Sequence, residues 1–164
     1  MYGKATISLK PHFYPQDTLV LDAKGMEIHS VKMNGKDLTH SYENDFLTIQ
    51  LGKTVTAQEE ITLVIDYTAK PDERETGGSS AISSDKGLYF INPKGEDPAK
   101  MPQIWTQGET EASSVWFPTI DAPNQKMTQE ILMTVDDKYV TLSNGTLVKS
   151  TKNEIGRASC RERV

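Results

Sequence analysis

Apolar side chains recur at every second position through most of this chain. Ala5, Ile7 and Leu9 share one face of an extended segment. Leu47, Ile49 and Leu51 repeat the pattern, Ile61, Leu63, Ile65 and Tyr67 extend it, and Ile131, Met133 and Val135 show it again. A period of two puts such residues on one side of a strand and turns their polar neighbours to the other. Two more segments, DTLVLDA from Asp17 and EIHSVKM from Glu27, are short and rich in aliphatic residues. Asn34-Gly35 and Asn144-Gly145 each suit the positive φ angles of a tight hairpin, and Pro11 and Pro15 bracket a loop. No long stretch carries a 3.6-residue period; Glu111 to Val115 fits a single helical turn at most. Many short strands with almost no helix predict an all-β fold: an antiparallel β-sandwich or open, curved sheets.

Composition adds limits. The chain has 164 residues, of which 36% are hydrophobic and 25% charged, so it has enough apolar material for a real core. The net charge of −5 argues against a grip on nucleic-acid phosphates. No apolar run approaches the ~20 residues of a membrane helix. The opening MYGKATISLK alternates like a strand and lacks the basic end and apolar block of a signal peptide, so the compartment is not readable. Cys160 is the only cysteine, which excludes an internal disulfide. It lies in IGRASCRERV, residues 155–164, a basic stretch unlike what precedes it. That stretch resembles a translated sequencing adapter, so the sequence divides into a β domain over 1–154, incomplete at both ends, and a non-native tail over 155–164 without meaning for folding or function. Ala69 to Lys86 is the one long polar segment, composed as an exposed loop or a lid.

Several chemistries are missing. His12, His29 and His40 are scattered, with no partner at i+4 and no His-Glu-x-x-His, so no metal set is proposed within the chain. There is no phosphate-binding glycine loop, no Gly-x-Ser-x-Gly and no nucleophile–base pair. Asn144-Gly145-Thr146 matches a glycosylation acceptor, but a hairpin turn is the preferred use of these residues. By itself the chain offers no catalytic constellation.

One stretch is specific: TQGETEASSVWFPTIDAP, from Thr106 to Pro123, which follows GLYFI and precedes QEILMTV. Thr106, Gln107 and Glu109, then Phe117-Pro118, then Asp121 and Pro123 fall at the spacing of a Thr-Gln-x-Glu, Phe-Pro, Asp-x-Pro series. In this the chain resembles the N-terminal domain of the zinc aminopeptidases of the aminopeptidase N family. Gly87-Leu88-Tyr89, Ser143-Asn144-Gly145 and LDAKGMEIHSV (Leu21 to Val31) resemble further landmarks of that domain, in the same order. The likeness spans nearly all of residues 2 to 154. Gly108 stands where the family often has a bulky residue, and Ser114 where it commonly has arginine. Related bacterial enzymes tolerate both changes, which bear on subsite shape.

The resemblance implies a saddle of β-sheets packed on a separate thermolysin-like domain. That domain holds the catalytic Zn2+, whose ligands are absent from this chain. It implies that the parent protein is a peptide hydrolase removing amino-terminal residues, that its partners are peptides with a free N-terminus, and that this chain alone is inactive. Glu109 is then the carboxylate that binds the substrate's α-ammonium, and Gln107 lines the first side-chain pocket. Charge-assisted hydrogen bonds of this kind are about twice as strong as neutral ones. Glu111 is read as surface, Trp116 and Phe117 as core anchors, and Pro118 and Pro123 as stiffeners. Asp121 is expected to tie its own Asp-Ala-Pro turn. Two other readings stay open: a non-catalytic scaffold relative of the same architecture, and a β-sandwich binding module, such as a carbohydrate binder using Trp105 and Trp116.

Overall fold

The computed structural model describes residues 1–74, 86–152 and 157–163. Two compact units divide the chain, Met1–Pro123 and Asn124–Val164, so the span 1–154 offered as one domain holds parts of both. The first unit contains β1 (Tyr2–Leu9), β2 (Gln16–Asp22), β3 (Met26–Met33), β4 (Lys36–Asp37), β5 (His40–Glu43), β6 (Phe46–Val55), β7 (Ile61–Ala69), β8 (Leu88–Ile91) and β9 (Gln103–Thr106). All its pairings are antiparallel. One sheet runs β1-β7-β3-β4, a second β2-β6-β5, and among the described residues β8 and β9 form a two-stranded sheet.

The alternating residues do what their period demands. Leu47, Ile49 and Leu51 of β6 and Ile61, Leu63, Ile65 and Tyr67 of β7 are buried in one cluster, joined by Leu21, Ala23, Met26, Val31, Val55 and Ala69. The members come from both larger sheets, so these sheets share a core as a sandwich does. Ala5, Ile7 and Leu9 of β1 pack against it from the edge. In β3 the apolar phase changes midway: Met26 and Ile28 point in, then Val31 and Met33. A register shift between Ile28 and Ser30 against β7 supplies the extra residue, a β-bulge that resets the phase. EIHSVKM shows no clean alternation for that reason.

Asn34 and Gly35, at φ 52° and 77°, form the expected two-residue turn between β3 and β4. Asn44 and Asp45, at φ 52° and 68°, make an equivalent turn between β5 and β6 without the Asn-Gly signature. Asn144-Gly145 is a correction. Neither residue has positive φ, and the strand after it pairs elsewhere. The lid reading of Ala69–Lys86 falls largely on 75–85, outside the described residues; of the rest, Pro71–Glu73 forms a single 3-10 turn.

The second unit is one antiparallel sheet of β10 (Glu130–Asp136), β11 (Thr146–Lys152) and β12 (Arg157–Arg163), with β12 in the middle. The stretch read as foreign and irrelevant to folding thus overlaps a paired strand. Ladder hydrogen bonds come from the backbone and place little demand on side-chain identity. Ile131, Met133 and Val135 share the less exposed face of β10, as their spacing requires.

Candidate substrate-end site

The Thr-Gln-Gly-Glu segment leaves the sheet where β9 ends. Thr106 is the last paired residue, opposite Leu88. The Gln107 N–H still donates to the Gly87 carbonyl at 2.9 Å, one step beyond the ladder. The chain then closes a five-residue turn: the Ala112 N–H donates to the Gly108 carbonyl at 3.1 Å. Glu109 stands inside that turn and is exposed, whereas Gln107 is half-buried. The Glu109–Thr110 peptide bond is cis.

Gly87 makes the turn's seat. Its φ is +67°, and a Cβ there would lie 2.0 Å from the Ala112 carbonyl oxygen. Only glycine allows both that conformation and that approach. The far side of the turn runs into a 3-10 turn, Ser113–Val115, where a single helical turn was expected. Trp116 and Phe117 N–H groups both donate to the Ser113 carbonyl, at 3.1 and 3.3 Å.

From there the segment is fastened to the sandwich of the first unit. The Lys24 N–H donates to the Ser114 carbonyl at 2.8 Å, and its ammonium donates to the Glu111 carbonyl at 2.5 Å. Asp22 and Thr119 exchange backbone hydrogen bonds of 2.8 and 3.0 Å. The Tyr67 hydroxyl, rising from the core, donates to the Trp116 carbonyl at 2.8 Å. Burial pushes the Tyr67 phenol up to about 12, so it remains a donor throughout the physiological range.

Two expectations are corrected here. The fully buried anchors are Ser114, Val115 and Pro118. Phe117 packs against the core cluster, but Trp116 is half-buried and meets Phe117 edge-on, with ring centroids 4.4 Å apart. Large aromatics carry more area, yet here the smaller residues go deepest because the turn brings backbone close to the sheet. Asp121 does not tie its own turn. Its Oδ2 accepts the Ser114 N–H, seven residues back, at 2.8 Å. Glu111 is exposed, in line with its reading as surface.

Trp105 lies on β9 and stacks on Tyr89 at 4.5 Å and 13°, away from the Trp116–Phe117 pair in sequence and element. It is 42% exposed and its neighbour Ile104 59%; as successive strand residues they face opposite sides of the β8–β9 ribbon. Among the described residues no group of three or more His, Cys, Asp or Glu is placed to hold a metal ion. His29 Nε2 is instead within 2.8 Å of Thr68 Oγ1, and His40 Nδ1 within 3.0 Å of the Leu38 carbonyl. The supports Asp22, Lys24, Tyr67 and Gly87 are not among the site residues that the sequence suggests. Asp22, Lys24 and Gly87 carry a signal, since all three sit in the motif stretches that make the resemblance.

The family profile described as the Peptidase M1 N-terminal domain matches residues 1–161. Among solved structures, a two-domain M1 zinc metallopeptidase variant bound to L-tryptophan aligns with a TM-score of 0.80 at 17% identity, over 99% of this chain and 34% of its own. The M1 zinc metallopeptidase from Deinococcus radiodurans gives 0.74 at 16% identity, over 99% and 34%. Legionella pneumophila aminopeptidase A in complex with aspartic acid gives 0.71 at 19% identity, over 99% and 17%. The chain therefore spans about a third or less of the length of these proteins. At such identities the structural likeness speaks for the fold.

Proposed function

This chain belongs to the peptidase M1 N-terminal domain family, and from that premise we propose that it reads the free amino end of a peptide for a zinc aminopeptidase. Glu109 accepts hydrogen bonds from the substrate's α-ammonium, and Gln107 lines the pocket for the first side chain. The observation that carries this is the contrast within one loop. Backbone hydrogen bonds pin both ends of the turn, at Gln107 and at Ser114, while the Glu109 carboxylate is left exposed.

Rigidity is what makes a lone carboxylate selective. A fixed acceptor favours a cation at one position, and a peptide lacking the ammonium there leaves the carboxylate unpaired once the cleft closes over it. The Gln107 amide both donates and accepts, so it adapts to varied side chains without excluding them by charge. Glu109 positions substrate in this scheme and moves no proton.

The separate catalytic domain of the parent covers the loop and supplies Zn2+, which polarises the scissile carbonyl and activates water when bound. The residues described here do not form a set that fits the metal, so no step of the hydrolysis is assigned to them. Trp105, exposed and stacked on Tyr89 shortly before the loop, supports a packing contact for that domain.

The test is Glu109→Ala in the full-length protein with an aminoacyl anilide reporter. Hydrogen bonds to charged groups contribute about 1.5–3 kcal/mol, so kcat/KM is expected to fall about ten- to a hundredfold. An unchanged kcat/KM sinks the assignment.

A further inference from the structure

Asp22 and Asp121 are 99 positions apart in the chain and meet through hydrogen bonds in series. Asp22 Oδ2 accepts the Asp121 N–H at 2.9 Å, and Asp121 Oδ2 accepts the Ser114 N–H at 2.8 Å. The series starts on β2, in the sandwich, and ends on the turn that follows Glu109. At its origin the Asp22 backbone is locked to Thr119 by a pair of hydrogen bonds. At its end the Ser114 carbonyl is taken by the Lys24 N–H. Both peptide groups of Ser114 are thus held from the body of the first unit.

We propose that Asp22 and Asp121 are positioning residues for Glu109, and so set how sharply the protein distinguishes a free α-ammonium from a neutral end. The proposal rests on the ammonium-binding reading of Glu109 and adds what makes that reading selective. A carboxylate only accepts, so it cannot turn a donor toward a backbone N–H, as an asparagine amide does when flipped. Its hydrogen bond to an N–H is charge-assisted and shorter than a neutral one. Burial of Val115 and Pro118 keeps the segment against the core in any case. That apolar contact has no preferred direction. The carboxylates supply the direction: they fix where Ser114 stands, and with it Ser113, whose Oγ lies against Gly108 beside Glu109.

The experiment uses the full-length protein and two reporters, an aminoacyl anilide and the same anilide lacking the α-amino group. The preference between them is measured for wild type, Glu109→Ala, Asp121→Asn, Asp22→Asn and the Asp121→Asn, Glu109→Ala double variant. Asp121→Asn is expected to lower the preference about tenfold, the scale of weakening one charge-assisted hydrogen bond. Asp22→Asn, one step further back, is expected to lower it about threefold on the same scale. In the Glu109→Ala background, Asp121→Asn should change the preference no further. Equal losses for both reporters, or an undiminished effect of Asp121→Asn in the double variant, would mean a purely structural role and overturn the proposal. If Glu109→Ala itself keeps the preference, the ammonium reading falls and this proposal with it. If Glu109→Ala removes the preference and Asp121→Asn keeps it, only the positioning role falls. Amide hydrogen exchange in the unmodified protein covers the case in which a variant fails to fold. Ser114 should exchange as slowly as the sandwich strands, and exchange at the rate of an open loop contradicts the proposal.

Discussion

The sandwich and the Gln107–Asp121 loop lie in the same compact unit and are held by opposite means. In the sandwich, Leu47, Ile49, Leu63 and Ile65 are wholly buried, and the sheets stay together because apolar area leaves water. The loop places only small residues that deeply, and its course is set by hydrogen bonds that Lys24 and Tyr67 donate to it and that Gly87 and Asp121 accept from it. Burial alone tolerates sliding, since one apolar contact is about as good as the next. A network of single donors and acceptors does not. Under the proposed role of Glu109, one carboxylate has to be held at one place, which calls for the second kind of restraint on top of the first.

Changes that separate the two regions sharpen the contrast. The largest effect is expected from the sandwich. Leu63→Ala removes a fully buried side chain and should cost about 2–5 kcal/mol in denaturant unfolding. Gly87→Ala comes next. The new Cβ would sit on the Ala112 carbonyl at positive φ, at a cost of about 1–3 kcal/mol. Its mark should be faster amide exchange at Gln107, with sandwich amides slowed or sped no more than the global loss requires.

Tyr67 joins both regions, and Tyr67→Phe leaves the Trp116 carbonyl without its donor. The expected loss is about 1–3 kcal/mol. Tyr67 also gives a pH signature. Burial raises its pKa from 10.0 to about 12, so the folded state holds the phenolic proton more tightly than the unfolded chain does. The stabilisation is fully present below pH 10.0 and is lost as pH rises through about 12. Stability measured across that window should fall in wild type and fall less in Tyr67→Phe. The smallest effect is expected at Ser114. Its Oγ is buried with no hydrogen-bond partner among the described residues, so Ser114→Ala should leave stability unchanged or raise it by up to about 1 kcal/mol. A loss above that range means the hydroxyl matters to the loop.

These differences also explain what could be read beforehand. β6 and β7 were visible because burial on one face writes a period of two into the residues. β3 was blurred by its bulge after Ile28, and β4, of two residues, is too short to show any period. The Asn-Gly pair at 34–35 makes its turn, but the pair at 144–145 does not, since a hairpin also needs a strand ending just before it. In the loop, Glu109 and Gln107 were picked out by family resemblance alone. The partner of Asp121 could not be read, because the link to Ser114 depends on how the intervening turn folds back. Hydrogen bonds made by backbone groups leave almost no trace in residue type, whereas apolar burial leaves a strong one.

The central claim is that a fixed negative charge at Glu109 reads a positive substrate end. Its most direct test compares the full-length protein with its Glu109→Gln variant on a peptide with a free amino terminus and on the same peptide N-acetylated. Glutamine keeps the size and the oxygen and removes the charge. A strong wild-type preference for the free terminus that drops by about ten- to a hundredfold in the variant is the predicted result. The same preference in both proteins would contradict it.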